Sequence, residues 1–228
     1  MAVTAIVAAG GQGVRMKGDV PKQFLMLGDR PILFHSLQRL AECPRIDDLI
    51  AVVPADHLEY TRTLLHEEYP LAKPARVVPG GEERQDSVRA GLEELSLECD
   101  LVVVHDAVRP LVSNSILMAV IQAAEKDGAA TAAIQPADTI KLVDSDRQVS
   151  DNLPRAMLWQ IQTPQAFRKD LLLRAHQRAF EDNFYGTDDS VLLERMGVHV
   201  RIVPGHPRNL KITTPDDLVM AEALFRHP

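Results

Sequence analysis

The stretch "LVVVHDA", Leu101 to Ala107, is apolar for four consecutive residues and turns polar at His105-Asp106. A short, almost unbroken apolar run is the pattern of a strand covered on both faces, as in a parallel sheet. The neighbouring segments fit that reading. Towards the N-terminus, 3–8 reads as a strand and 32–41 as a helix closed by Cys43-Pro44. "LIAVVP" (49–54) is a strand and 56–69 a helix, then 75–81 a strand and 83–95 a helix. Towards the C-terminus come a helix at 116–126 and a strand at 131–134. This alternation predicts an α/β fold: a doubly wound, mostly parallel, Rossmann-like sheet with right-handed crossovers. Ligands of such sheets bind beyond the carboxyl ends of the strands, where Asp106 falls.

The rhythm breaks after Pro136. "TIKLVDSDRQVSDNLPR" (139–155) alternates with period two around Asp144-Ser145-Asp146 and reads as a β-hairpin. A two-stranded ribbon is marginal in water unless it packs on something. Two readings stand side by side: a hairpin lying on its own domain, and an arm gripping a second subunit. Helices at 169–180 and 188–196, a strand at 199–203 and a helix at 215–225 complete the chain. Residues 1–228 thus read as one domain, with 137–157 as a protruding β-hairpin arm.

Composition narrows the function. The 228 residues are 46% hydrophobic and 25% charged, an ordinary globular mixture. Net charge is −7, so the basic field that a nucleic-acid or membrane surface needs is missing, and any anion must be met by a local basic cluster. Cys43 and Cys99 form no metal or redox spacing and read as free, buried thiols in a reducing compartment. The apolar run near the N-terminus is too short for a leader, and no segment reaches the length of a membrane span. A cytoplasmic location is expected.

A glycine-rich turn follows the first strand in "AIVAAGGQGVRMKGDVPKQF" (Ala5–Phe24). A dinucleotide fingerprint would need glycine where Met16 stands, and a P-loop would need Lys and Ser/Thr where Asp19 and Val20 stand. Neither applies. Other chemistry-bearing segments also fall at strand ends: Arg15 and Lys22 flank this turn, "GGEERQDS" (80–87) opens a helix, "HDAVRP" (105–110) ends a strand, and "NLKITTPDD" (209–217) places Lys211 on a last short strand. Glycine N–H donors, two or three cations and one carboxylate suit a polyphosphate with a divalent metal rather than acyl or hydride transfer. The acids of Thr187-Asp188-Asp189 and Thr214-Pro215-Asp216-Asp217 read first as helix N-caps and first turns. His35, His57 and His105 lack metal-ligand spacing and read as structural.

"AAGGQGVRM…PKQF", "GGEERQDSV", "HDAVRP", "ADTIK", "LWQIQTPQAF", "TDDSVLLE" and "NLKITTPDDL", in that order, resemble the motifs of the 2-C-methyl-D-erythritol 4-phosphate cytidylyltransferase family from Thr4 to Leu224. Ribitol-phosphate cytidylyltransferases share much of the pattern, which leaves the acceptor open between the two polyol phosphates. The resemblance implies a nucleotidyltransferase-type fold and transfer of CMP from CTP to the acceptor phosphate, with Mg²⁺ held mainly by the triphosphate. It implies that Ala8, Ala9, Gly10, Gly11 and Gly13 hold CTP through the backbone, and that Gly81, Glu82 and Ser87 contact cytosine and ribose. Arg15, Lys22 and Lys211 would act on the reacting phosphates. Asp106, Arg109, Thr139, Arg155, Thr163 and Thr187 would surround the acceptor, with Asp106 a possible metal contact. It also implies a homodimer through the arm, with Arg155 entering the partner's site. Two departures stand out: Ala8 where some members have Pro, and Glu82 where some have Asp. An acceptor phosphate is already ionised at neutral pH, so this chemistry needs positioning and charge neutralisation rather than a strong base.

Overall fold

The computed structural model describes residues 1–11 and 20–226. The chain runs β1 (Ala2–Ala8), the short pair β2 (Met26–Leu27) and β3 (Arg30–Pro31), α1 (Ile32–Ala41), β4 (Asp48–Val53), α2 (Leu58–Glu67), β5 (Ala75–Pro79) and α3 (Arg84–Glu93). It continues with β6 (Cys99–Asp106), α4 (Asn114–Asp127), β7 (Ala129–Ile134), the hairpin β8 (Lys141–Val143) and β9 (Val149–Asn152), and β10 (Gln160–Arg168). Then come α5 (Lys169–Glu181), α6 (Asp189–Glu194), β11 (Arg201–Pro204) and α7 (Pro215–Arg226).

Seven strands form one sheet in the order β11-β7-β10-β6-β1-β4-β5. Leu101 to Val104 are fully buried, as the apolar run demands. Side chains alternate between two cores. Val3, Ala5 and Val7 of β1 pack with Leu33, Leu37, Leu117 and Ile121 of α1 and α4 on one face. Ile6 packs with Val88, Leu92, Leu172 and Leu192 of α3, α5 and α6 on the other. Burying a Val, Leu or Ile side chain contributes about 1.5–3 kcal/mol, so the two faces supply the main driving force.

β1 pairs in parallel with β4 on one side and β6 on the other. The strand order therefore reverses beside β1, which opens a crevice at the carboxyl ends of β1 and β6, where Ala8 lies opposite Asp106.

Sequence reasoning missed one central element. β10 runs antiparallel between β6 and β7. Its "QIQTPQAF" interleaves Gln, Thr and Pro with apolar residues, which reads as loop because polar groups are costly inside a sheet. They are tolerated here because they are bonded: the Gln165 amide donates to Thr131 Oγ1 (3.1 Å) and to Asp188 Oδ2 (3.0 Å). The expected strand at Lys211 is also corrected. That segment makes a backbone bond from Ile212 N to Val108 O (2.9 Å) but joins no sheet.

Every residue of β8 and β9 is exposed, including Leu142, Val143 and Val149 at 47%, 56% and 64%.

Candidate active site

The turn after β1 is fixed from both sides. Ala9 N donates to Val52 O (2.8 Å), and Ala107 N donates to Ala8 O (3.1 Å). Buried Gln23, next to Lys22, donates its amide to Ala9 O (2.6 Å) and Gly11 O (3.2 Å). A Cβ on Gly10 would lie 2.3 Å from Ser87 Oγ and 3.3 Å from its Cβ, so a side chain there would displace Ser87. The turn, Lys22, Ser87, Asp106 and Lys211 line one cavity. Gly81 and Glu82 sit on the exposed turn before α3, outside that lining. Gly13 and Arg15 lie outside the described residues.

Asp106 is the electrostatic centre. Arg84 Nε donates to its Oδ1 (2.9 Å), Lys211 Nζ lies 2.8 Å from Oδ2, and Arg109 Nε is at ion-pair distance (3.7 Å). Burial pushes the Asp106 carboxyl up, but the Arg84, Lys211 and Arg109 charges outweigh it and hold the group well below the usual carboxylate range. Arg84 also reaches the other way, donating from Nη1 to Asp189 Oδ2 (2.7 Å). Asp189 Oδ1 in turn meets His176 Nε2 at 3.0 Å.

A neutral histidine sets the strand end. Burial pushes the His105 imidazole down to about 4. Its Nε2 faces Arg109 O (3.1 Å), and a carbonyl can only accept, so Nε2 carries the proton. Nδ1 then accepts from Thr163 Oγ1 (3.2 Å), and that oxygen accepts from Asp106 N (3.0 Å). Thr163 thus links His105 to the Asp106 backbone. The Arg109 guanidinium is anchored by Nη1 donating to Asn209 O (2.6 Å).

A second cavity of about 340 Å³ opens on the other side of this cluster, lined by Arg84, Asp106, Arg109, Thr163, Thr187 and Lys211 among others. That volume falls in the range of small-molecule sites. Thr139 and Arg155 are exposed, flank the hairpin and line neither cavity. Two larger cavities, one beside β5 and one between α4 and α7, contain neither Asp106 nor Lys211.

Sequence reasoning missed Arg84 and Asp189. Arg84 lies inside the motif "GGEERQDS", where nothing local marks it out from the neighbouring charges. Asp189 was taken with Asp188 as capping acid. The structure separates them: Asp188 is the N-cap, accepting from Val191 N (3.0 Å), while Asp189 is 1% exposed and ion-paired.

A glycine turn after the first strand, cations gathered at the carboxyl edge of a doubly wound sheet, and two cavities meeting at one carboxylate define a nucleotidyltransferase. The family model for 2-C-methyl-D-erythritol 4-phosphate cytidylyltransferase matches residues 3–227, and the chain belongs to that family. It is 46% identical to the enzyme of that name from Syntrophus aciditrophicus, over 98% of this chain and 96% of the relative. It is 42% identical to the one from Caldanaerobacter subterraneus, over 99% and 100%. Among solved structures it resembles 4-diphosphocytidyl-2C-methyl-D-erythritol synthase from Anaerococcus prevotii, with a TM-score of 0.88 at 32% identity over 99% and 96% of the chains. The cytidylyltransferase of Thermus thermophilus gives 0.80 at 33% identity over 99% and 100%.

Proposed function

We infer that this chain transfers CMP from CTP to 2-C-methyl-D-erythritol 4-phosphate, releasing pyrophosphate, in the non-mevalonate route to isoprenoid precursors. The observation that carries this reading is the meeting of two cavities at Asp106, with Lys22 on the nucleotide side, Thr187 on the acceptor side, and Arg84 and Lys211 on both. CTP lies along the turn Ala8–Gly11 beside Ser87, and the polyol phosphate lies against Arg109 and Thr187. A phosphate oxygen of the acceptor attacks the α-phosphorus, the bond from that phosphorus to the α,β-bridging oxygen breaks, and pyrophosphate leaves with that oxygen. Lys22, Lys211 and Arg15 neutralise the growing charge, while Asp106 accepts hydrogen bonds from acceptor hydroxyls. No step requires a protein base.

A divalent cation supplies further neutralisation when CTP brings it. The protein's own donors do not suit a metal cage: among the described residues no three His, Cys, Asp or Glu side chains cluster, and both Asp106 oxygens face cations. Asp106 is therefore assigned to the acceptor rather than to metal.

The site is completed by a second copy of the chain. Val143 and Val149 face each other across the hairpin and are both exposed, and an isologous pairing of two arms buries both such pairs at once. Arg155 and Thr139, which flank the arm and miss the cavities of their own chain, then serve the partner's acceptor site. No helix among the described residues is long and apolar enough to cross a membrane, and the free thiols of Cys43 and Cys99 suit a reducing cytoplasm.

Pyrophosphate release measured with CTP and each acceptor in turn tests the assignment. Turnover should be fast with methylerythritol phosphate and weak with ribitol 5-phosphate; the reverse order would assign the chain to the ribitol phosphate reaction.

A further inference from the structure

Arg84 is the only described side chain that bonds directly to both Asp106 and Asp189, and its second contact is the unexplained one. Asp189 lies away from the nucleotide turn, with its side chain 1% exposed, and its partner His176 is 3% exposed. Neither lines either cavity. A buried ion pair is weak evidence of a stability device, because a well-packed apolar set of the same volume often does as well or better. It is a better device for orientation. A guanidinium presents its donors in a rigid planar fork, so holding one edge fixes the direction of the other.

We propose that Asp189 and His176 are positioning residues that act on the reaction through Arg84, fixing its guanidinium so that Asp106 faces the acceptor polyol in one orientation. Three further observations support this relay. Burial pushes the Asp189 carboxyl up, but the Arg84 charge and the His176 bond bring it down to about 2, so the anchor keeps its charge throughout the neutral range. The rest of the first turn of α3 is clamped to the segment before α6. Gln85 donates to Phe184 O (2.9 Å) and accepts from Gly186 N (2.9 Å), and Tyr185 donates its hydroxyl to Asp86 (3.3 Å). Thr187, on the acceptor side, lies within that clamped segment. The base of Arg84 is therefore as firmly held as its tip, and the nucleotide side and acceptor side are joined through one helical turn.

The proposal rests on the assigned reaction and is tested by comparing variants with the active wild type, using CTP and methylerythritol phosphate. Asp189→Asn keeps the shape and removes the charge. It should fold, bind CTP by calorimetry within about threefold of wild type, and lose about 10²-fold in kcat/KM for the acceptor, the size expected when a reacting partner is misplaced by about 1 Å. His176→Gln, one contact further out, should lose less in the same direction. In an Arg84→Lys background, where the bridging fork is gone, adding Asp189→Asn should cause no further loss. Wild-type acceptor kinetics in folded Asp189→Asn, an equal loss for both substrates, or fully additive losses in the double variant would each overturn the relay. If Asp189→Asn does not fold, wild-type acceptor kinetics in His176→Gln would overturn it in the same way. A wild-type protein inactive with both acceptors would instead defeat the functional reading.

Discussion

Lys211 Nζ lies 2.8 Å from Asp106 Oδ2, so the cation expected to act on the phosphates is held by the carboxylate expected to act on the acceptor. This pairing joins the two halves of the site. Arg84 and Arg109 also meet Asp106, at 2.9 and 3.7 Å, so the carboxylate has cationic partners besides Lys211.

Lys211→Ala and Lys22→Ala should each lower kcat by about 10²-fold or more, the cost of losing one preorganised charge-stabilising group. Folding should survive in Lys211→Ala, since Arg84 and Arg109 still neutralise Asp106. Steady-state kinetics give the answer: near wild-type kcat in both variants would remove these lysines from the chemistry.

Asp106→Asn separates the two substrates. It takes a negative charge from among three cations, so affinity for CTP should hold or tighten while kcat/KM for the acceptor falls. Calorimetry with CTP, run beside the kinetics, decides the matter. Loss of CTP binding in a folded variant would move Asp106 to the nucleotide site.

Gly10→Ala tests the turn. The new methyl meets Ser87 Oγ, and relieving such overpacking typically costs about 1–3 kcal/mol. Because the displaced Ser87 lines the nucleotide cavity, KM for CTP should rise. The acceptor KM should stay near wild type.

His105 gives a pH signature. Its folded-state value of about 4 lies below the ordinary 6.5, so the unfolded chain binds more protons between those values. Stability is therefore full above about pH 6.5 and falls as pH drops towards 4. The window spans roughly 3 kcal/mol at about 1.4 kcal/mol per pH unit. His35, also lowered by burial, adds a slope of the same sign. The difference between wild type and His105→Gln isolates His105. Urea midpoints measured from pH 4 to 7 should fall more steeply in the wild type, and parallel curves would contradict the neutral, buried assignment.

The apolar strands and amphipathic helices were legible in the sequence because burial imposes their periodicity directly, as in Leu101–Val104. β10 was not, because its place between two strands is stabilised by long-range bonds such as Gln165 to Thr131 and Asp188, which no local pattern announces. The same limit applied to the site. Lys22, Asp106 and Lys211 were readable because each stands at a predicted strand end or glycine turn. Arg84 and Asp189 are 105 positions apart, and only the fold, which brings the first residues of α3 and α6 together, makes them partners. Thr163, expected beside the acceptor, lines the second cavity, and its hydroxyl also bonds His105 and the Asp106 backbone, contacts that no local pattern signals.

The arm yields the most demanding prediction. Arg155 is exposed at the foot of the hairpin and reaches neither cavity of its own chain. If it completes the acceptor site of a partner, binding the phosphate bidentately as a guanidinium can, Arg155→Ala homodimers should be nearly inactive. Lys22→Ala homodimers fail for a different reason, on the nucleotide side. In a mixed dimer, the site with intact Lys22 belongs to the Arg155→Ala chain and receives Arg155 from its Lys22→Ala partner. The opposite site carries both lesions. Unfolding and re-forming an equal mixture should therefore restore activity in about half of the dimers, at one site each, or about a quarter of the wild-type total, as random pairing of isologous subunits requires. An arginine acting within its own chain leaves one lesion in every site, so hybrids of verified composition would stay inactive. Arg155 would then serve the site of its own chain, and the shared site would be refuted.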